Sequence, residues 1–242
     1  LAFEPGTDWR YSAAGYNLLA AIVERAAGAP YARSLRELLF DPARMERTGL
    51  MSEDRWTEEG QARARVGWND RGSPVEWPRN WRNFGAGDVV STAADMWRWE
   101  RALRAGRIFP PEILDRYLSP LFTREGLPTY GFGLFFHDPP DGPSVIEHGG
   151  DAALGYNASF YRYPEEDVLI IITCAARTPE GDYLRHALGE GLEEIARGRE
   201  AELPPPASLP SAVERERLVG TYVVDGPGGS ESVVAGDRDG TG

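Results

Sequence analysis

No lysine occurs anywhere in the 242 residues, so all 26 basic side chains are arginines, and only one cysteine and three histidines accompany them. Each scarcity closes off a class of function. Without lysine there is no phosphate-cradling G-K-[ST] loop, and the Gly226–Gly229 cluster reads as a turn. A single cysteine, Cys174, forbids an internal disulfide. It sits in the apolar run from Val168 to Cys174, where a small inert thiol is expected to pack. The histidines His137, His148 and His186 show no H-x-x-H or H-E-x-x-H spacing, which argues against a metal site. That apolar run also falls far short of the roughly 20 residues a membrane helix needs, so a soluble protein is expected. A formal net charge of -12 disfavours a nucleic-acid groove, which requires clustered positive charge.

What is present suits a globular chain: 41% of residues are hydrophobic, enough for a full core. Ser12 is placed to cap a helix whose apolar positions Leu18, Leu19, Ile22, Val23 and Ala26 keep helical spacing, with Gly28 as its stop. A second helix is expected from Tyr31 to Phe40, ended by Asp41-Pro42. Residues 52–83 carry Trp56, Trp68, Trp77 and Trp81 without clear period and read as an irregular excursion over a site, where the tryptophans either line a pocket or pack a lid. Ser91 or Thr92 caps a further helix, and Pro110-Pro111 opens another ending near Leu118. Beyond Tyr130 the period becomes strand-like. Gly131 to Phe136, Gly155 to Tyr163 and Asp167 to Cys174 predict an antiparallel meander, with a helix from Asp182 to Arg199 packed on it. Pro204-Pro205-Pro206 and Pro210 mark a linker, and Leu218 to Val224 reads as one more strand.

Five short segments carry chemistry together: Phe3-Glu4-Pro5-Gly6, Tyr11-Ser12-Ala13-Ala14-Gly15-Tyr16, Gly87 to Met96, Tyr130-Gly131-Phe132-Gly133, and His148-Gly149-Gly150 with Gly155-Tyr156 behind it. Each alone is weak. In this order and in these contexts the chain resembles the class C β-lactamase-like serine hydrolases, a family of penicillin-binding-protein-like esterases, peptidases and β-lactamases. The resemblance implies an α+β fold: an antiparallel sheet flanked by helices, with a helical lobe, followed by a truncated β domain. It divides the chain into a catalytic-domain portion at 1–199, a Pro-rich linker at 200–217 and the start of a β domain at 218–242.

The family acylates a serine in S-x-x-K and hydrolyses the acyl-enzyme without metal or organic cofactor. With no lysine, that motif is absent here, and the nucleophile is expected upstream of Leu1. By resemblance Tyr11 shares the base role, its phenolate requiring nearby positive charge. His148 takes the place of the lysine in K-T-G, offering a donor to substrate or to Tyr11. Gly149 and Gly150 leave room for substrate along the strand, and the N–H of Asp151 is one oxyanion donor. Ala13 stands where the family usually has Asn. The loss favours an ester over an amide substrate, or else Asn17 or Ser12 supplies the contact. The partner implied is a small-molecule acyl substrate; compartment and oligomeric state are not indicated, though many relatives act outside the cytoplasm. The rival reading is a binding homologue that keeps the fold without the chemistry, which Ala13 favours and the trio of Tyr11, His148 and Gly149-Gly150 opposes.

Overall fold

The computed structural model describes residues 3–57, 62, 64–66, 69–73, 83–124, 127–139, 142–151, 155–177, 179–201, 220–226 and 229–235. Helix α1 (Ala13–Ala27) begins where Ser12, in extended backbone, accepts the Gly15 N–H on Oγ at 3.1 Å. It stops at Gly28, whose φ of 62° suits a residue without Cβ. Then come α2 (Tyr31–Leu35), a π-helical turn over Arg36–Phe40, and α3 (Asp41–Ala43). The expected stop at Asp41-Pro42 does not occur. Asp41 N–H bonds Arg36 O five residues back, and the widened turn lets Pro42, which has no N–H to give, enter the first turn of α3.

The middle of the chain holds the short strands β1 (Gly49–Leu50), β2 (Ala64–Val66), β3 (Asn69–Gly72) and β4 (Val89–Val90), followed by α4 (Ala93–Arg104) and α5 (Pro111–Tyr117). Thr92 is the residue that caps α4, its hydroxyl accepting from Asp95 N–H at 3.1 Å. Within the stretch read as irregular, β2 and β3 pair antiparallel and β11 (Ala176–Arg177) adds parallel to β2.

The main sheet comprises β5 (Phe122–Arg124), β6 (Leu127–Gly131), β7 (Leu134–His137), β8 (Val145–Asp151), β9 (Asn157–Tyr163) and β10 (Val168–Cys174), all antiparallel in the order β10-β9-β8-β7-β6-β5. The meander is therefore there, with one difference. The run expected as one strand from Gly131 to Phe136 is a tight hairpin, because Phe132 and Gly133 both take positive φ, 50° and 88°. His148-Gly149-Gly150 lies in the C-terminal half of β8, which ends at Asp151. Helix α6 (Pro179–Ala196) begins three residues earlier than the sequence pattern indicates, and β12 (Gly220–Gly226) pairs with β13 (Gly229–Ala235). Most of the Pro-rich stretch, 202–219, lies outside the described residues.

Two cores organise these elements. One is helical, Phe40, Ala43, Met45 and Ala102 with Met96, Trp99 and Ile108 around them. The other lies between β9, β10 and α6, where Tyr163, Ile170 and Ile172 meet Leu188, with Cys174 at the margin. Helix α1 departs from its sequence pattern: Leu18, Leu19 and Ile22 are 64%, 52% and 54% exposed, and only Ala20 is buried. The 83–87 loop packs on α1, Asn17 Oδ1 accepting Gly85 N–H at 2.7 Å. A Cβ on Gly85 would lie 2.3 Å from Tyr16 O and 2.8 Å from Ala20 Cβ. Gly85→Ala should accordingly cost about 2 kcal/mol or more. A denaturant midpoint unchanged from wild type would show that the loop simply lifts away.

Candidate active site

Helix α1 and the sheet meet through aromatic rings. Trp9 stacks on Tyr130 at 4.9 Å between centroids, and Tyr130 packs edge-on to Phe135 at 4.8 Å. The Tyr11 ring lies over Phe135 at 6.3 Å and 11° and over His148 at 6.1 Å and 27°. Phe135 and His148 are themselves 5.5 Å apart. Tyr11 is held at this junction by its place one residue before the Ser12 cap and remains 53% exposed, so its phenol edge is open to a ligand.

Strand β7 pairs only with Val145, Ile146 and Glu147, leaving residues 148–151 of β8 beyond the end of its pairing with β7. His148 Nδ1 lies 2.5 Å from Gly149 O. A carbonyl can only accept, so Nδ1 carries the proton and Nε2 is left to accept from a ligand in the neutral ring or to donate once protonated. A Cβ on Gly150 would touch nothing within 4 Å, so no packing within the described chain demands glycine there.

A cavity of about 410 Å³ opens at this junction, with Tyr11, His148 and Gly149 in its wall together with Phe135, Glu147, Ser159 and Tyr161. Of the residues singled out in the sequence, Tyr11, His148 and Gly149 therefore come together. Gly150 and Asp151 continue β8 beyond that wall, Asp151 exposed and opposite Asn157. The other four wall residues were missed. Their signal is the register: Phe135 faces Glu147, Glu147 faces Tyr161, and Gly149 faces Ser159, so each row shares one face of the sheet.

Neighbouring groups narrow the chemistry. Tyr130 cannot serve as a phenolate, because burial, its 3.0 Å hydrogen bond with Tyr16 and the adjacent phenols all push its pKa upward. The side chains offered by sequence as substitutes for the missing amide at Ala13 are engaged elsewhere, Ser12 on Gly15 N–H and Asn17 on Gly85 N–H. His137 is satisfied within the sheet, its Nε2 lying 3.1 Å from Glu147 Oε1. Trp56 turns its indole N–H to Leu50 O at 2.5 Å, and Trp68, Trp77 and Trp81 lie outside the described residues. Among the described residues, no group of three or more His, Cys, Asp or Glu is placed to hold a metal ion, and no helix is long and apolar enough to cross a membrane.

The family model described as Beta-lactamase matches residues 1–193. The chain belongs to the Beta-lactamase family. Within it, the chain is 26% identical over 240 residues to a D-aminopeptidase of Gluconobacter oxydans, covering 96% of this chain and 43% of that protein. Penicillin-binding protein 4* of Bacillus subtilis is 27% identical over 241 residues, covering 92% of this chain and 52% of that protein. This Beta-lactamase-family chain thus spans about half the length of these curated relatives. Among solved structures, a D-amino acid amidase from Ochrobactrum anthropi SV3 complexed with D-phenylalanine aligns with TM-score 0.64 and 25% identity, over 81% of this chain and 61% of that one. An octameric penicillin-binding protein homologue from Pyrococcus abyssi aligns with TM-score 0.65 at 17% identity, over 96% and 56% of the two chains, and speaks to the fold alone.

Proposed function

We propose that the chain forms part of a serine hydrolase that acylates its nucleophile with a small acyl substrate and then hydrolyses the acyl-enzyme. The observation that carries this reading is the approach of Tyr11 to His148 at 6.1 Å, from the cap of α1 and from the middle of β8, at the rim of one cavity. A serine hydroxyl needs a base within hydrogen-bond reach. Tyr11 takes that part, relaying the proton between serine and leaving group. His148 Nε2 accepts from the phenol while the ring is neutral and donates to the substrate once the ring is protonated. The Asp151 N–H is one oxyanion donor, and Gly149-Gly150 give the substrate access to the strand. The nucleophile and its lysine come from an S-x-x-K outside these 242 residues, which contain no lysine.

The helix position that usually presents an amide is Ala13, and the side-chain oxygens of Ser12 and Asn17 are turned to the backbone N–H groups of Gly15 and Gly85. A substrate whose binding requires a donor to an amide carbonyl is then disfavoured, and esters are preferred over peptides and β-lactams. Ala13 also supports a second reading, a binding homologue without catalysis.

The chain alone should hydrolyse p-nitrophenyl esters and nitrocefin no faster than buffer and should take up no fluorophosphonate. Joined to a segment bearing S-x-x-K, it should be labelled at that serine and turn over the ester. Stoichiometric labelling of Ser12 or Ser91 in the chain alone would overturn the assignment of the nucleophile. Labelling without turnover in the joined polypeptide would favour the binding homologue.

A further inference from the structure

Three hydrogen-bonding side chains in the cavity wall have capacity that the described residues leave unused. Ser159 on β9 is 3% exposed, yet no hydrogen bond among the described residues engages its hydroxyl, and Oγ is open to the cavity rather than sealed in the core. The phenol of Tyr161, two residues along the same strand, is likewise unengaged among the described residues. Glu147 gives Oε1 to His137 Nε2 at 3.1 Å and leaves Oε2 without a hydrogen-bond partner among them. Register collects the three. Glu147 is directly opposite Tyr161 and Gly149 directly opposite Ser159, so carboxylate, phenol and hydroxyl share one face of the sheet, and Gly149 has no side chain to screen Ser159 from a ligand. Phe135, opposite Glu147 on β7, and Tyr11 add aromatic rings to the same wall.

We infer that this cavity receives a neutral polyhydroxylated ring, so that the acyl substrates are esters of a sugar-like polyol. The ester linkage rests on the hydrolase reading, and the polyol on the cavity wall. A hydroxyl both donates and accepts. It donates to Glu147 Oε2 and accepts from Ser159 or Tyr161, whereas an ammonium group only donates and leaves both of those hydroxyl protons unused. A carboxylate or phosphate only accepts and meets the like charge of Glu147, with no arginine among the described residues of the wall to offset it. Neighbouring hydroxyls on one small ring match a carboxylate and a phenol directly opposite each other, while the C–H surface of that ring packs on the aromatic rings. A cavity of about 410 Å³ has the size of a small-ligand site. Glu147 and Gly149 flank His148 on β8, so a polyol held there brings its ester bond beside His148.

The test is a saturation-transfer NMR titration of the 242-residue chain with the methyl glycosides of D-glucose, D-galactose and D-mannose. Each is compared with 2-(hydroxymethyl)tetrahydropyran, which keeps the ring and lacks the ring hydroxyls. At least one glycoside should bind about fivefold tighter or better than the bare ring, the scale of one or two hydrogen bonds. Ser159→Ala and Tyr161→Phe each delete one oxygen, and each should weaken that glycoside about three- to tenfold while leaving the bare ring within about twofold. Thr123→Val, which removes a hydroxyl from the edge strand β5, should leave both ligands as in wild type. Melting temperatures check that the variants are folded. Glycosides that bind no tighter than the bare ring, a preference that survives both Ser159→Ala and Tyr161→Phe in folded variants, or no binding of any glycoside each overturns the inference. Because binding is read without a nucleophile, these failures remain separate from failure of ester turnover in the joined polypeptide, which bears on the hydrolase itself.

Discussion

Tyr11→Phe in a polypeptide that carries the S-x-x-K segment should lower kcat/KM for an ester by about 10²–10⁴-fold, the usual worth of a positioned proton-transfer group. The substitution deletes one oxygen and keeps the ring. Contacts of Tyr11 with Phe135, His148 and Tyr130 at 6.1–6.3 Å are contacts of the ring face and edge, so the fold and the cavity wall should persist. The melting temperature should therefore stay close to wild type, separating lost chemistry from lost structure. The neighbouring phenol cannot take over, because Tyr130 is held protonated by burial and by its hydrogen bond with Tyr16. Turnover within about twofold of wild type would show that the phenol is not the base.

Glu100→Ala should cost about 3–5 kcal/mol of stability, a large part of the roughly 5–15 kcal/mol that holds a domain together. Glu100 lies on α4 and is 4% exposed. Its Oε1 accepts from Arg162 Nε of β9 at 2.6 Å and from Arg104 Nε on its own helix at 2.8 Å. The pair to Arg162, whose side chain is 14% exposed, fastens the helical lobe to the main sheet. Truncating the carboxylate leaves a nearly buried guanidinium without its counter-charge, which is the costly half of breaking such a pair. Tyr117 reports the same event independently. Burial first, then Glu100 and Tyr16, push its pKa up to about 12, so spectrophotometric titration of the variant should show that phenol ionising at lower pH. A loss below about 1 kcal/mol, with the titration unchanged, would mean that water already satisfies Arg162.

The sequence showed the local features well, since they are set by neighbours along the chain. Ser12 and Thr92 have the side chains to cap, and both do. The strands Asn157–Tyr163 and Val168–Cys174 are visible as text because both runs are rich in aromatic or β-branched residues. Tyr11 and His148 were legible only through motif resemblance, as nothing in either neighbourhood states that the two rings meet. Glu147 and Tyr161 were not legible at all: their membership of the site follows from strand register, a long-range property fixed by pairing. Pro42 misled for a related reason. Its helix-breaking rule assumes α geometry, and a π turn lies immediately before it.

Helix α1 is anchored by one side only. Ala20 is buried, Asn17 holds the 83–87 loop and Tyr16 reaches Tyr130, while Leu18, Leu19 and Ile22 face outward. A segment with so little apolar burial belongs at the low end of the range of opening free energies, below the sheet that α6 covers. Tyr11 travels with that helix, whereas His148 and Glu147 travel with β8. Undocking of α1 would part Tyr11 from those residues, and a ligand's apparent affinity would then be its intrinsic affinity scaled by the docked fraction. Anything that covers the outward leucines raises that fraction and tightens binding without touching the ligand.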